Sequence, residues 1–280
     1  MTVTRRTLLA ALAGGAAASA KSSPDLLIQG ALDSELGPLS GGPDGTQGAA
    51  HPRLDLLDRP HRPPERCRFA HRHRTINAAA VTALGIREFQ PRAIINQGTA
   101  GGHNRSLKLW DIVLGEKTTD YAAFSAVHGD AGQGQNPANW KPVPHRIRTN
   151  GGDLATFPSF AGDARLLTAA EDRDPRGRVL RGNVGSAYQF NRQIDHIDWL
   201  HKTYGTDSED MESAYSAGAA VAMGVPFLAI RIISDTEWEH PTFEKIAGQY
   251  CAEFVVNVVK SLRTPTVSEG SLSPTNRARQ

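Results

Sequence analysis

The run from Asp210 to Asp235 constrains this chain more than any other segment. Ala214 to Met223 is alanine-rich and free of proline, a composition that favours helix, and Gly224 follows where a helix C-terminus is usually closed. After Pro226 comes Phe227-Leu228-Ala229-Ile230-Arg231-Ile232-Ile233-Ser234-Asp235, whose apolar, β-branched character reads as a buried strand. A helix feeding a buried strand is the repeating unit of α/β folds, and ligands there gather at strand carboxyl ends, where Ser234 and Asp235 fall. Glu212 sits in the expected first turn of the helix, after a polar Asp207-Ser208 start, where free amides face a ligand. Two readings stay open at this point. Either both acids belong to one pocket, or Glu212 complements the helix dipole and Asp235 caps the next turn.

The rest of the chain continues the alternation. Leu26 to Gly30 reads as a first strand leading into a helix at about Asp33 to Leu39, followed by a Gly/Pro-rich break from Ser40 to Ala50. Ile76 to Phe89 is helical in composition, Ala93 to Gln97 is a short buried strand bounded by Gly98, and Trp110 to Gly115 is another strand. Gly129 to Asp153, crowded with Gly, Pro and Asn, reads as a long loop. Asp163 to Glu171 and Asn191 to Tyr204 read as helices, with Ile194, Ile197 and Leu200 on one face of the second, and Phe243 to Leu262 as a closing amphipathic helix. The expected architecture is a three-layer α/β sandwich, a twisted, mostly parallel or mixed sheet flanked by helices. At 280 residues and 39% hydrophobic, one such domain over residues 21–262 accounts for the core. The Ser/Thr/Pro-rich tail, 263–280, reads as disordered.

Both ends and the charge balance narrow the setting. Thr4-Arg5-Arg6-Thr7-Leu8-Leu9 places paired arginines before a modestly apolar run ending in Ala18-Ser19-Ala20, the order of a twin-arginine export signal over residues 1–20. Cleavage near Lys21 would leave an exported chain with no membrane anchor. A formal net charge of +2 gives no general case for nucleic acid. Cys67 and Cys251 allow at most one disulfide, and their pairing stays unassigned.

Three separated motifs carry chemistry. Gly30-Ala31-Leu32-Asp33-Ser34-Glu35-Leu36 sets acids just after a strand, and Gly98-Thr99-Ala100-Gly101-Gly102 lets backbone approach a ligand closely. The third is Met211-Glu212 with Ser234-Asp235. In this order and spacing they resemble the nucleoside phosphorylase and hydrolase superfamily, most of all the methylthioadenosine/S-adenosylhomocysteine nucleosidases, over Leu26 to Leu36 and Asn77 to Leu262. The resemblance implies roles residue by residue. Glu35 matches the catalytic glutamate, and Thr99, Ala100 and Gly101 the ribose and purine loop. Met211 and Glu212 match a ribose clamp, and Arg231, Ser234 and Asp235 the base-recognition strand. The ring that stacks on the purine lies in Gly185 to Phe190, with Tyr188 favoured over Phe190 because it follows the small-residue step. Phe243 matches a position near the substrate's 5′ end, and Trp110 and Trp199 read as core. A small-molecule nucleoside is the implied partner, with no metal and no organic cofactor, and a homodimer is implied.

Cleaving an N-ribosidic bond builds positive charge on the sugar and negative charge on the departing purine, so the two carboxyl groups need different environments. Glu35 would activate water at the anomeric carbon, and Asp235, kept protonated by a dry pocket, would donate to purine N7. Glu212, ionised, would accept from the ribose hydroxyls. Arg231 would hold one of these acids or contact the substrate directly, or else form a buried structural pair. The alternatives are a phosphorylase using phosphate in place of water, and an exported nucleoside-binding or storage protein of the same fold. One region departs from the pattern. Residues 51–74 hold seven Arg, four His and four Pro, a composition that does not readily form buried strands. They read first as a solvated charged face; polyanion binding, a metal contact at His71 and His73, or a segment that is not the native reading of the gene are the alternatives.

Overall fold

The computed structural model describes residues 26–32, 34–35, 56–57, 67–71, 75–171 and 174–262. The expected export signal, the tail from 263 and most of the helix expected over Asp33 to Leu39 lie outside the described residues.

The chain builds a nine-stranded sheet in the order β10-β5-β11-β12-β4-β1-β3-β2, with β13 pairing to both β4 and β5. These are β1 (Leu26–Gly30), β2 (Leu56–Leu57), β3 (Cys67–His71), β4 (Ala93–Gly102), β5 (Ile112–Asp120), β10 (Phe160–Ala161), β11 (Val179–Ser186), β12 (Ser208–Asp210) and β13 (Phe227–Asp235). The sheet is mixed: β1 runs parallel to β3 and β4, β11 to β5 and β12, and β13 to β4, while β12–β4, β13–β5, β10–β5 and β2–β3 are antiparallel. The pairings β4–β13–β5–β11–β12–β4 return to their starting strand, so the sheet closes a ring at one end and stays open through β1 at the other. Such closure leaves the central strands without a free edge.

Helices cover both faces. On one side are α1 (Thr75–Phe89) and α4 (Ser213–Ala222), and on the other α2 (Ala164–Ala170) and α5 (Ile246–Ser261). Strand alternation divides the core between them. Leu27, Ile94, Ala229 and Ile233 pack with Val81, Ala214, Ala217 and Ala220. Leu26, Ile28, Ile95, Leu228, Ile230 and Ile232 pack with Leu166, Ala247, Cys251 and Val255. Burial on both faces explains why β1, β4 and β13 read as continuous apolar runs. Each fully buried Leu or Ile contributes about 1.5–3 kcal/mol. The alanines of α4 allow it to lie close against the sheet, and Gly224 closes it with φ +71°.

Several boundaries differ from the sequence expectation. Ser208 to Asp210 is strand, so Glu212 is the N-cap residue of α4 and stands just before its first turn. The closing helix starts at Ile246, leaving Phe243 in the preceding loop, where the Glu244 N–H donates to the Ser234 carbonyl at 3.1 Å. The strand expected from Trp110 starts at Ile112, because Trp110 takes a left-handed conformation (φ 73°) and packs edge-on against Tyr250. The loop expected over Gly129 to Asp153 contains a short 3-10 turn and two strands, β7 (Lys141–Pro142) and β8 (His145–Arg148). Strand β7 pairs with β6 (Phe124–Ser125) and β8 with β9 (Leu154–Phe157). Helix α3 spans Ile194–Tyr204 and buries Ile197 and Leu200 as expected. Residues 51–74 hold two strands despite their composition: β3 extends the sheet beside β1, and β2 pairs with β3 at the outer edge. Sheet pairing is made by backbone groups, so an edge position accepts residues that an inner strand does not. Cys251 is buried and unpaired, its thiol pushed up to about 12 by burial.

Candidate active site

The carboxyl ends of β1, β4 and β13 and the N-terminus of α4 converge on a cavity of about 410 Å³. Its lining includes Glu35, Thr99, Ala100, Gly101, Met211, Glu212, Arg231, Ser234, Asp235 and Phe243, so ten of the eleven expected site residues share one space. Tyr188 is the exception. It is 55% exposed and absent from the lining, whereas Phe190 and Gln189 reach the cavity. Beyond the end of β11 the chain leaves the sheet, Ala187 turns inward, and the ring that meets the cavity is the one three residues later. Trp110 and Trp199 pack with apolar neighbours and do not line it.

Glu35 is 2% exposed and its carboxylate is fully engaged by donors. Oε2 accepts from the N–H groups of Ala31 (2.6 Å) and Leu32 (2.9 Å), and Oε1 from the Thr99 N–H (3.0 Å) and hydroxyl (3.3 Å). Gln97 Nε2 donates to the Glu35 carbonyl at 2.5 Å. The turn after β1 and the glycine-rich end of β4 thus aim backbone dipoles at one side chain. Gly98 is required by this approach: a Cβ there would stand 2.7 Å from Glu35 Oε1.

Arg231 is a buried anchor. Its Nε donates to Asp210 Oδ2 at 2.5 Å, Nη1 to the Asn96 and Ile230 carbonyls at 2.9 Å each, and Nη2 to Asn96 Oδ1. Burial works against its charge, but the carboxylates of Asp210, Glu212 and Glu35 outweigh it and raise its proton affinity. Arg231 forms a buried pair, and its partner is Asp210 instead of Glu35, Glu212 or Asp235. Asp210 in turn accepts from the Ser186 hydroxyl (2.5 Å), the N–H groups of Glu212 (3.1 Å) and Ser213 (3.2 Å), and the Ser213 hydroxyl. It fixes the start of α4 and with it the backbone that carries Glu212.

Asp235 lies in a different setting. Its Oδ1 accepts from the Ser234 hydroxyl at 2.7 Å, and that hydroxyl also approaches the Ala100 carbonyl at 3.2 Å. Burial pushes the Asp235 carboxyl above the usual range, and Glu209 and Glu237 push the same way against the opposing Ser234 contact. Glu209 also lines the cavity. It accepts from His103 Nε2 (3.0 Å), the Tyr121 hydroxyl (2.8 Å), Asn191 Nδ2 and the Asn191 N–H (3.2 Å). Burial opposes its charge, but these donors prevail and hold it below the usual carboxylate range. Sequence reasoning missed Glu209, Asp210, His103, Tyr121 and Asn191. The one signal available was the acidic run Glu209-Asp210-Met211-Glu212, of which only the last acid drew attention.

Among the described residues no group of three His, Cys, Asp or Glu side chains comes together as a metal site. No helix of the described residues is long and apolar enough to cross a membrane.

Known proteins place this arrangement in a family. A profile described as the phosphorylase superfamily matches residues 75–260. A 5′-methylthioadenosine/S-adenosylhomocysteine nucleosidase of an Exiguobacterium species is 28% identical over 200 residues, covering 67% of this chain and 76% of the relative. The enzyme of that name from Actinobacillus succinogenes is 29% identical over 195 residues, covering 67% and 77%. Among solved structures, the Neisseria meningitidis nucleosidase in complex with methylthio-immucillin-A superposes with a TM-score of 0.61 at 24% identity, covering 84% of this chain and 98% of that one. The futalosine hydrolase of Helicobacter pylori superposes with a TM-score of 0.63 at 17% identity, covering 85% and 98%. The chain belongs to the nucleoside phosphorylase and hydrolase superfamily, and its sequence and fold are similar to those of the methylthioadenosine/S-adenosylhomocysteine nucleosidases.

Proposed function

We propose that the chain hydrolyses the N-ribosidic bond of a purine thionucleoside such as methylthioadenosine or S-adenosylhomocysteine. The observation that carries this reading is the meeting of Glu35 with Glu212 and Asp235, which lie much further along the sequence, on one cavity. Relatives named as methylthioadenosine/S-adenosylhomocysteine nucleosidases support the substrate class.

In this mechanism Glu35 is the base. The backbone groups that hold it fix its position, so that water taken up beside it is oriented toward the anomeric carbon. Asp235 is the acid: burial and neighbouring anions favour its protonated form, which donates to purine N7 as negative charge develops on the leaving base. Glu212, at the N-cap of α4, accepts from the ribose hydroxyls, with Met211 beside it. Thr99, Ala100 and Gly101 give the substrate a close backbone wall, Ser234 orients Asp235, and Phe243 borders the 5′ substituent. Phe190 takes the stacking role first expected of Tyr188. Among the described cavity-lining residues Arg231 is the one cation, and Asp210, Asn96 and Ile230 engage it, which leaves no guanidinium for a phosphate dianion and disfavours the phosphorylase alternative.

The working form proposed is a homodimer exported by the twin-arginine route. Phe190, 81% exposed while lining the cavity, is a side chain that a partner subunit would cover. The paired Arg5-Arg6 and the Ala18-Ser19-Ala20 step support export. Incubation of the purified chain with methylthioadenosine, with and without phosphate, tests the activity. Free methylthioribose and adenine at equal rates in both are expected; a sugar 1-phosphate, or no adenine release, would contradict it.

A further inference from the structure

The base end of the cavity holds a second carboxylate that the mechanism above does not use. Gly101 pairs in register with Glu209 of β12 on one side and with Asp235 of β13 on the other. A Cβ on Gly101 would lie 3.4 Å from both Asp235 Oδ2 and Glu209 Cγ, so the two acids converge over the same glycine. Their supports are unequal. Glu209 accepts from three side chains and one backbone N–H, whereas Asp235 accepts from the Ser234 hydroxyl, which sits on its own strand. The donors to Glu209 come from three further segments: His103 after β4, Tyr121 after β5 and Asn191 before α3. His103 is itself oriented, its Nδ1 lying 2.8 Å from the Thr206 hydroxyl.

We propose that Glu209 is a positioning residue, a fixed anion that keeps the proton of the Glu209–Asp235 pair on Asp235 and so keeps the leaving-group acid loaded. The inference rests on the assignment of Asp235 as that acid. Two carboxyls at the end of one buried cavity do not ionise together without penalty, and the one surrounded by donors takes the charge. The other charged groups facing Asp235 are Glu237 in the following turn and Arg192 before α3. These two pair with each other, Nε to Oε1 at 3.1 Å, and act on Asp235 in opposite directions, which leaves Glu209, across Gly101, as the larger charge acting on it. His103 Nε2, 3.0 Å from Glu209 Oε2, faces the carboxylate from the end of β4.

The test is the pH profile of kcat/KM on methylthioadenosine for wild type, E209Q and E209D. Deprotonation of Asp235 on the alkaline side removes the acid. Losing the adjacent anion lowers the pH at which that happens, so the alkaline limb of E209Q should move down by about one pH unit. E209Q should then lose up to about tenfold more activity on the alkaline limb than on the plateau of its profile, and E209D, which keeps the charge, should stay near the wild-type limb. An unmoved alkaline limb in E209Q, or an equal shift in E209D, overturns the proposal. Infrared spectra of the wild-type protein supply a readout without any Glu209 variant. A protonated-carboxyl band at neutral pH that disappears in D235N supports the proposal, and a band that persists in D235N, marking the proton elsewhere, overturns it. A failure of the underlying assignment reads differently: D235N would then keep the wild-type alkaline limb, whatever E209Q does.

Discussion

Glu35 and Asp235 share a cavity and a functional group, yet the chain surrounds them in opposite ways. Glu35 is met by four donors, three of them backbone N–H groups from the turn after β1 and the end of β4, so the surroundings supply positive dipoles to an acceptor. Asp235 is met by one hydroxyl and by anionic neighbours, with burial pressing its carboxyl upward. In the mechanism proposed above, this difference lets one sheet end provide both a base and an acid. Environment, not residue type, separates the roles.

The largest expected effect comes from breaking the Glu35 side of this contrast. Glu35→Gln should lower kcat by about 10²–10⁴-fold with little change in KM, measured in steady state on methylthioadenosine. The amide also turns an NH2 toward backbone donors, so melting should show a stability loss of about 1–3 kcal/mol. Near-native turnover would remove Glu35 from the chemistry. A subtler break is Gly98→Ala, whose new Cβ would fall 2.7 Å from Glu35 Oε1 and displace the carboxylate without altering it. A misplacement of that kind should cost about 10²-fold in kcat. Activity unchanged in Gly98→Ala would mean that the position of Glu35 is not critical.

How much of this contrast was legible in the sequence depends on how local its causes are. Strands β1, β4 and β13 and helix α4 were readable because apolar runs and an alanine-rich, glycine-closed segment state themselves within a few residues. Glu35, Glu212 and Asp235 were legible as candidates because each belongs to a short motif. The Arg231–Asp210 pair was not, since five acids line the cavity with one guanidinium and only the fold decides which meets it. Glu209 was hidden for a stronger reason: its donors, His103, Tyr121 and Asn191, come from three separate segments, and no spacing announces them. The ring formed by β13 with β4 and β5 is likewise a long-range pairing. Strands β3 and β2 were missed because residue type was weighed against backbone pairing in the two outermost strands of the sheet.

Smaller changes sharpen the comparison. Glu212→Gln replaces a charged acceptor by a neutral amide and should reduce discrimination for ribose over 2′-deoxyribose by roughly tenfold in kcat/KM. An unchanged preference would place Glu212 away from the sugar. The smallest effect is on stability. Because the Asp235 carboxyl is raised in the folded state, the native protein holds a proton that the unfolded chain has lost, between the ordinary Asp value and the raised one. Stability from this group is therefore full below the ordinary value and falls as pH rises through the raised one. Asp235→Asn lacks that loss, so its melting temperature relative to wild type should rise by about 2–4 °C from pH 4 to pH 8. A difference that stays constant with pH would contradict the raised carboxyl.

The division of labour between the two carboxyls is tested most directly by measuring kcat of Glu35→Gln and Asp235→Asn on two substrates, methylthioadenosine and a nitrophenyl riboside whose leaving group needs no proton. Glu35→Gln should lose activity on both, because water must be activated in either case. Asp235→Asn should lose about 10²-fold or more on methylthioadenosine and keep most of its activity on the nitrophenyl riboside. Equal losses on both substrates in Asp235→Asn would contradict its role as the acid, and with it the claim that the cavity holds a base and an acid set apart by their surroundings.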